Sequence, residues 1–404
     1  MSSNLRVTYG QSVHGEEEIN AVVRVLRTST QMGTHVRTFE SQVAELLGKK
    51  FGIMVNSGSS ALSLAVQVLD LKPGAEVITP VLTFATTVAP IVRAGLVPAF
   101  IDVEEATYNI DVGQIEEMVS ERTVAVLIPN LIGNVPDWDA VRKIADRHNL
   151  RVVEDSADTL GATLHGSPTG RRSDISTTSF YGSHIINCAG NGGFIGVDDE
   201  ATARRLLLLR SWGRSSSLFD PSAAESIDTR FDVDLEGIRY DRKFVFEEMG
   251  FNYEPSELGA AFGLEQLKRL ASNIERRRSN FTFLRSFFSA YEDLFILPRE
   301  TAGVRTGWLA FPLTVRASAP FSRTEMQIFL EAHNIQTRPV FTGNILKQPA
   351  FSRIERREFP HGYPEADKVM LGGLLLGCHH GLFQEHLDYV CSKVATFIDS
   401  RVGR

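Results

Sequence analysis

Between about residues 50 and 200, short apolar runs rich in β-branched side chains alternate with stretches whose apolar positions recur at helical spacing. The runs at 76–80, 98–102, 124–129 and 151–155 are nearly continuous in apolar character, which predicts strands covered on both faces. The stretches at 59–69, 85–94 and 137–148 then supply crossover helices, the last with Asp137 placed to cap it. Two more strands are predicted at 175–180 and 193–197, joined by a loop. Strands and helices alternating in this way predict an α/β domain built on a mostly parallel sheet.

Past residue 200 the pattern changes. Residues 215–226 are small and polar and predict a surface excursion. One long charged helix is expected over 257–291, with its run Glu275-Arg-Arg-Arg278 on a solvated face. Strand-like 307–315 and helix-like 323–333 predict a smaller α+β unit. The expected division is a large α/β domain over 1–295 and a small C-terminal domain over 296–404, with no internal repeat.

Composition narrows the function. A chain of 404 residues, 43% of them hydrophobic, has material for more than one folding unit. Its net charge of −7 offers no basic field to a polyanion, so nucleic acid is not an expected partner. There is no leader-like segment and no run apolar enough to span a bilayer, so a soluble, cytoplasmic enzyme is expected, without a membrane partner. Cys188, Cys378 and Cys391 are too scattered for a disulfide framework or a zinc site. His379-His380 lacks a third ligand and reads as a loop or domain-interface pair, so no metal is expected.

Three features carry candidate chemistry. Asn56-Ser-Gly-Ser-Ser-Ala-Leu62 sets small residues before a helix, where free amides and the helix dipole favour a phosphate, although the same residues also form plain caps. Asp155 ends a strand at the edge where open α/β sheets bind ligands. A carboxylate there suits a protonated pyridine nitrogen, or simply caps the turn. Ser179 offers a hydroxyl after the next strand, and His184 follows five residues later beside Ile185 and Ile186, as a catalyst or as a structural histidine.

In order and spacing these segments, together with Thr107-Tyr-Asn-Ile-Asp111, Gly250-Phe-Asn252 and Ala260–Leu267, resemble the DegT/DnrJ/EryC1/StrS family of sugar aminotransferases over nearly the whole chain. The resemblance implies the aspartate-aminotransferase-like fold (fold type I) and pyridoxal or pyridoxamine 5'-phosphate as cofactor. It assigns Gly58, Ser59 and Ser179 to the phosphate and Asp155 to the pyridine nitrogen. Phe84 is assigned to the ring face and Asp158 to the neighbourhood of the phenolic oxygen. Asn252 would reach the phosphate of the other subunit, which implies a homodimer with shared sites, and Arg338 would lie on the substrate side.

In that family a lysine stands where this chain has His184, and no lysine occurs between Lys143 and Lys243. An imidazole moves protons at neutral pH but cannot tether the cofactor. The exchange resembles the branch of 3-dehydratases acting on nucleotide-linked 4-keto-6-deoxyhexoses in deoxysugar biosynthesis, and it implies that His184 takes a proton from the cofactor's C4′ while the C3 hydroxyl leaves. Some of those enzymes carry an iron–sulfur cluster, but the segment after Trp212-Gly-Arg214 has no cysteine, so no cluster is expected. Glutamate or a separate reductase would then complete the cycle. A second histidine and a glutamate of that branch are Ile185 and Asn191 here. A lysine-less aminotransferase using glutamate and a silent scaffold subunit stand as the competing expectations.

Overall fold

Apolar strands with no wet face are stable only between two layers, and the chain builds that sandwich around seven of them. In the computed structural model, which describes residues 5–219 and 227–402, these are β1 (Phe51–Val55), β2 (Glu76–Pro80), β3 (Val97–Ile101), β4 (Thr123–Pro129), β5 (Arg151–Asp155), β6 (Ile175–Ser179) and β7 (Gly193–Val197). They lie in the order β1-β7-β6-β5-β4-β2-β3. The strands β2 to β6 pair parallel with one another, and β7 runs antiparallel to both β1 and β6. This is the mostly parallel α/β sheet that the alternating pattern predicted, in keeping with the fold type I that the resemblance implied.

The pleat alternation is visible in adjacent residues. Val152 and Ile128 join the apolar cluster on one face, and Val153 and Leu127 join the cluster on the other. Each such side chain contributes about 1.5–3 kcal/mol on burial, which explains why these strands carry no polar alternation. The helices α3 (Gly58–Val68), α4 (Ala85–Arg93), α5 (Trp138–His148) and α6 (Glu200–Arg210) cover the sheet. Asp137 caps α5 by accepting from the Ala140 amide.

Two helices precede the sheet, α1 (Glu16–Leu26) and α2 (Thr34–Leu47). The expected single helix over 257–291 is two: α7 (Glu257–Leu267) and α8 (Leu270–Phe288). The chain turns at Arg269 (φ −104°, ψ 0°) because the two halves have different surroundings. The helix α7 is wedged against α1 and α2 and is buried on most sides, while α8 buries a single stripe. Within that stripe Arg277 is fully buried, which corrects the solvated-face expectation for that residue, while Glu275 and Arg276 of the same run are exposed.

A second sheet of β8 (Phe295–Ile296), β9 (Phe311–Val315), β10 (Thr337–Pro339) and β11 (Gly373–Leu376) is antiparallel throughout, in the order β8-β9-β11-β10. The helices α9 (Arg323–Ala332) and α10 (Gln384–Val402) pack beside it. The N-terminal segment adds to this region, since Val7 pairs with Ile335. The expected strand over 307–315 is shorter because Trp308 and Leu309 leave the ladder: their carbonyls accept from the Arg277 guanidinium at 3.1 Å, and the Leu309 amide donates to Ile132. Of the expected excursion at 215–226, Ser215–Leu218 forms a short turn with Ser215 buried, and 220–226 lie outside the described residues. No described helix is long and apolar enough to cross a membrane.

Candidate active site

The carboxyl ends of β5 and β6 and the start of α3 open on one cavity of about 410 Å³. Its phosphate-sized end is the α3 N terminus. Ser57 caps the helix by accepting from the Ser60 amide at 3.1 Å, so the amides of Gly58 and Ser59 remain free toward the cavity. Gly58 is required by space: a Cβ there would stand 2.6 Å from the Ser179 Cβ and 2.9 Å from its Oγ. That close approach places the Ser179 hydroxyl beside the free amides.

Asp155 faces the cavity floor. Its Oδ2 accepts from the Thr87 hydroxyl at 3.1 Å and its Oδ1 from the Ala157 amide at 3.2 Å. Burial pushes its carboxyl up to about 6, against these two donors. Burial pushes Asp158 further, to about 7, with the charge of Asp155 adding to the effect. Two carboxyls in one wall with no lysine or arginine among the described lining residues make the cavity a good receptor for a cationic ring. Beneath them, Glu154 is hydrogen-bonded by Asn130, Ser156 and Ser176, and Trp138 donates to Asn130.

His184 lines the cavity beside Asp158. Its Nδ1 lies 3.0 Å from the Ser179 carbonyl, which only accepts, so the proton sits on Nδ1 and the Nε2 lone pair is free. Nε2 is 4.0 Å from Asp158 Oδ1, beyond a direct hydrogen bond. Burial lowers the imidazole to about 4, opposed by the Ser179 carbonyl and reinforced by the positive charge of Arg277. The ring is therefore neutral at physiological pH, in the tautomer of a base. Tyr181 stands edge-on to it at 6.0 Å.

Phe84, at the N terminus of α4, is 52% exposed at the mouth and meets Phe341 edge-on at 6.0 Å. Arg338 and Asn252 do not line this cavity. Arg338 lies over the ring of Tyr9 at 5.6 Å, and Tyr9 does line it. Asn252 is exposed beside β1, where its carbonyl accepts from Asn56. Pattern reading missed Tyr9, Leu309 and Phe341, which come from distant segments, and it missed Arg277, whose signal was only a charged run. His379 binds Thr8 of the N-terminal segment and His380 accepts from Arg277. Among the described residues no cluster of three or more His, Cys, Asp or Glu is placed to hold a metal ion.

The donor set fits a phosphorylated pyridine: free amides and a hydroxyl at one end, a buried uncompensated carboxylate at the other, and an aromatic face at the mouth. Comparison with known proteins agrees. The model of the DegT/DnrJ/EryC1/StrS aminotransferase family matches residues 12–395. The chain belongs to this family. It is 35% identical over 369 residues to the lipopolysaccharide biosynthesis protein RfbH of Salmonella typhimurium, covering 89% of this chain and 84% of that one. It is 35% identical over 399 residues to the dTDP-4-dehydro-2,6-dideoxy-D-glucose 3-dehydratase of Saccharopolyspora spinosa, covering 96% and 86%. Among solved structures, the E. coli GDP-4-keto-6-deoxy-D-mannose-3-dehydratase with bound hydrated PLP superposes with a TM-score of 0.87 at 28% identity, covering 96% of this chain and all of that one.

Within the family frame, the two departures beside His184 differ in kind. Ile185 points into the apolar cluster formed with α2 and α8 and does not line the cavity. Asn191 does line it, so its amide is part of the wall.

Proposed function

We propose that this member of the DegT/DnrJ/EryC1/StrS family is a pyridoxamine/pyridoxal-phosphate-dependent 3-dehydratase of a nucleotide-linked 4-keto-6-deoxyhexose, acting in the cytoplasm in deoxysugar biosynthesis. The observation that carries the reading is the geometry of His184: a neutral imidazole with Nε2 free lines the cavity, at the position to which the resemblance assigns the family's tethering lysine. The named activities of the dTDP-sugar and GDP-sugar relatives support the substrate class, and their different nucleotides leave the base to be assigned by assay.

In this reading the amides of Gly58 and Ser59 and the Ser179 hydroxyl hold the phosphate, and Phe84 covers the ring. Asp155 pairs with the pyridine nitrogen; the cation's field then keeps the carboxyl ionised despite burial. Asp158 stands near the phenolic oxygen. When bound, the pyridoxamine form supplies an amine for the C4 ketone and the electron pair that replaces the C3 oxygen. Nε2 of His184 takes up the proton from the carbon bearing that amine, and the same imidazole can return it as the hydroxyl departs as water. Burial favours this cycle because the imidazolium is held only while the proton is in transit. Asn252 serves the site of the other subunit of a homodimer, and Arg338 acts at the substrate side through its stacking on Tyr9. No cluster is invoked, so either glutamate re-aminates the cofactor after hydrolysis, or the dehydrated product passes to a separate enzyme.

The test is to incubate purified protein with pyridoxamine phosphate and the GDP- or dTDP-linked 4-keto-6-deoxyhexose, without reductase, and to follow product mass. Loss of the C3 oxygen is expected. An amino sugar formed with glutamate, the C3 oxygen retained, would assign transamination instead.

A further inference from the structure

Arg277 is a fully buried cation that forms no ion pair among the described residues and spends its donors on main chain and one imidazole. Nη2 donates to the His184 carbonyl at 3.3 Å, Nη1 to the carbonyls of Trp308 and Leu309 at 3.1 Å, and Nε to His380 Nδ1 at 3.2 Å. His380 must be neutral to accept, and burial together with Arg277 lowers it to about 3. A buried guanidinium without a carboxylate is costly, and an arrangement retained at that cost calls for a role beyond filling space.

The partners of Arg277 continue into the site. The Leu309 amide donates to the Ile132 carbonyl at 2.8 Å, and the Ile132 amide donates to Asp158 Oδ2 at 3.0 Å. Ile132 holds φ 60°, a left-handed conformation that is strained for a β-branched residue. Gly133 follows because a Cβ there would stand 2.5 Å from the Leu309 amide. The path thus runs from His184 through Arg277, Leu309 and Ile132 to Asp158, and its only open step is the 4.0 Å gap between His184 Nε2 and Asp158 Oδ1.

We propose that Arg277 is a positioning residue that closes this ring of hydrogen bonds and so sets the separation and protonation of the His184–Asp158 pair. The proposal rests on His184 being the base of the reaction. Arg277 touches neither the cavity nor Asp158 directly, and it acts through the His184 and Leu309 main chain and through its charge. The charged or titratable groups facing His184 are Asp158, Asp155 and Tyr9 from the cavity side, Tyr181 from its own loop, and Arg277 with His380 from behind.

The experiment compares wild type with Arg277→Met, Arg277→Lys and His380→Leu, using ¹⁵N-histidine NMR of the cofactor-free protein together with steady-state kinetics and pyridoxamine-phosphate affinity. Wild type is expected to show His184 neutral with the proton on Nδ1. Arg277→Met is expected to raise the His184 pKa by about one unit or more and to mix the tautomers. The expected kinetic signature is kcat down about ten- to a hundredfold, with KM and cofactor affinity within about threefold. Arg277→Lys keeps the charge but not the fork, so its His184 pKa stays closer to wild type while kcat still falls. His380→Leu removes only the outer acceptor and is expected to give a smaller loss of the same kind, which serves if Arg277→Met does not fold. A variant set that lowers thermal stability but leaves the His184 titration, tautomer and kcat at wild-type values overturns the proposal. The NMR readout needs no substrate, so a wild type that fails to dehydrate any sugar refutes the functional reading and still reports on the ring.

Discussion

One end of the cavity draws on Asp155 and Ser179, which end the neighbouring strands β5 and β6, and on Gly58, which starts helix α3. The wall around His184 is assembled from Ile132, Arg277, Leu309 and Tyr9, residues on separate elements that approach only after the second sheet, α8 and the N-terminal segment have packed. The first region is organised to hold an anion and a cationic ring, and it needs little beyond local geometry. The second, in the proposed reading, controls one proton and depends on distances set across the whole chain. If the proposed function holds, the fold keeps its cofactor grip while the reaction is set by one base and its supports.

Four substitutions separate the two regions, ordered by expected effect. Asp155→Asn removes the carboxylate beneath the ring nitrogen, and turnover should fall by about a hundredfold or more with loss of the electron sink, while His184 titrates as in wild type. Pre-steady-state turnover and ¹⁵N-histidine NMR together check this. Gly58→Ala drives a methyl into Ser179, and its signature should be cofactor affinity weakened by about tenfold, ~1.4 kcal/mol, with the rate of the fully loaded enzyme nearly kept. Equilibrium dialysis against pyridoxamine phosphate reads it. If either change instead moves the His184 tautomer, the two regions are not separable.

The third prediction concerns pH. In the cofactor-free protein Asp158 titrates near 7, well above an unfolded aspartate. The folded chain therefore holds that proton more tightly than the unfolded chain, so ionisation erodes stability as pH rises from about 4 to about 7. Asp158→Asn has no such cost. The melting-temperature advantage of Asp158→Asn over wild type should grow across that window and level off above it; an advantage that is flat with pH would remove Asp158 from the set of perturbed groups. The smallest effect is expected for Thr87→Val, which deletes one hydrogen bond to Asp155 and should cost about 1 kcal/mol in cofactor binding.

The same division governs what the sequence made legible. Strand ends and caps are local, so the apolar runs located β2 to β7, and small residues before a helix located Gly58. Helix α2 was equally legible in principle, since Val36, Phe39, Val43 and Leu47 keep helical spacing and are all buried. The break at Arg269 was not, because its cause is the difference between the neighbours of α7 and α8. Arg277 shows the limit most clearly. Charge predicts exposure for a helical arginine, yet this one faces four acceptors that come from 31 to 103 residues away. The roles proposed for Asn252 and Arg338 would depend on a second subunit and a substrate, which no periodicity encodes.

The most direct test of the account is a single turnover of wild type and His184→Asn, each loaded with pyridoxamine phosphate, with the C3 oxygen of a nucleotide-linked 4-keto-6-deoxyhexose followed by mass spectrometry. Wild type should release the oxygen, and His184→Asn should retain its cofactor but be slowed by about a thousandfold. A His184→Asn enzyme that removes the oxygen within about tenfold of the wild-type rate would contradict the assignment of His184 as the base.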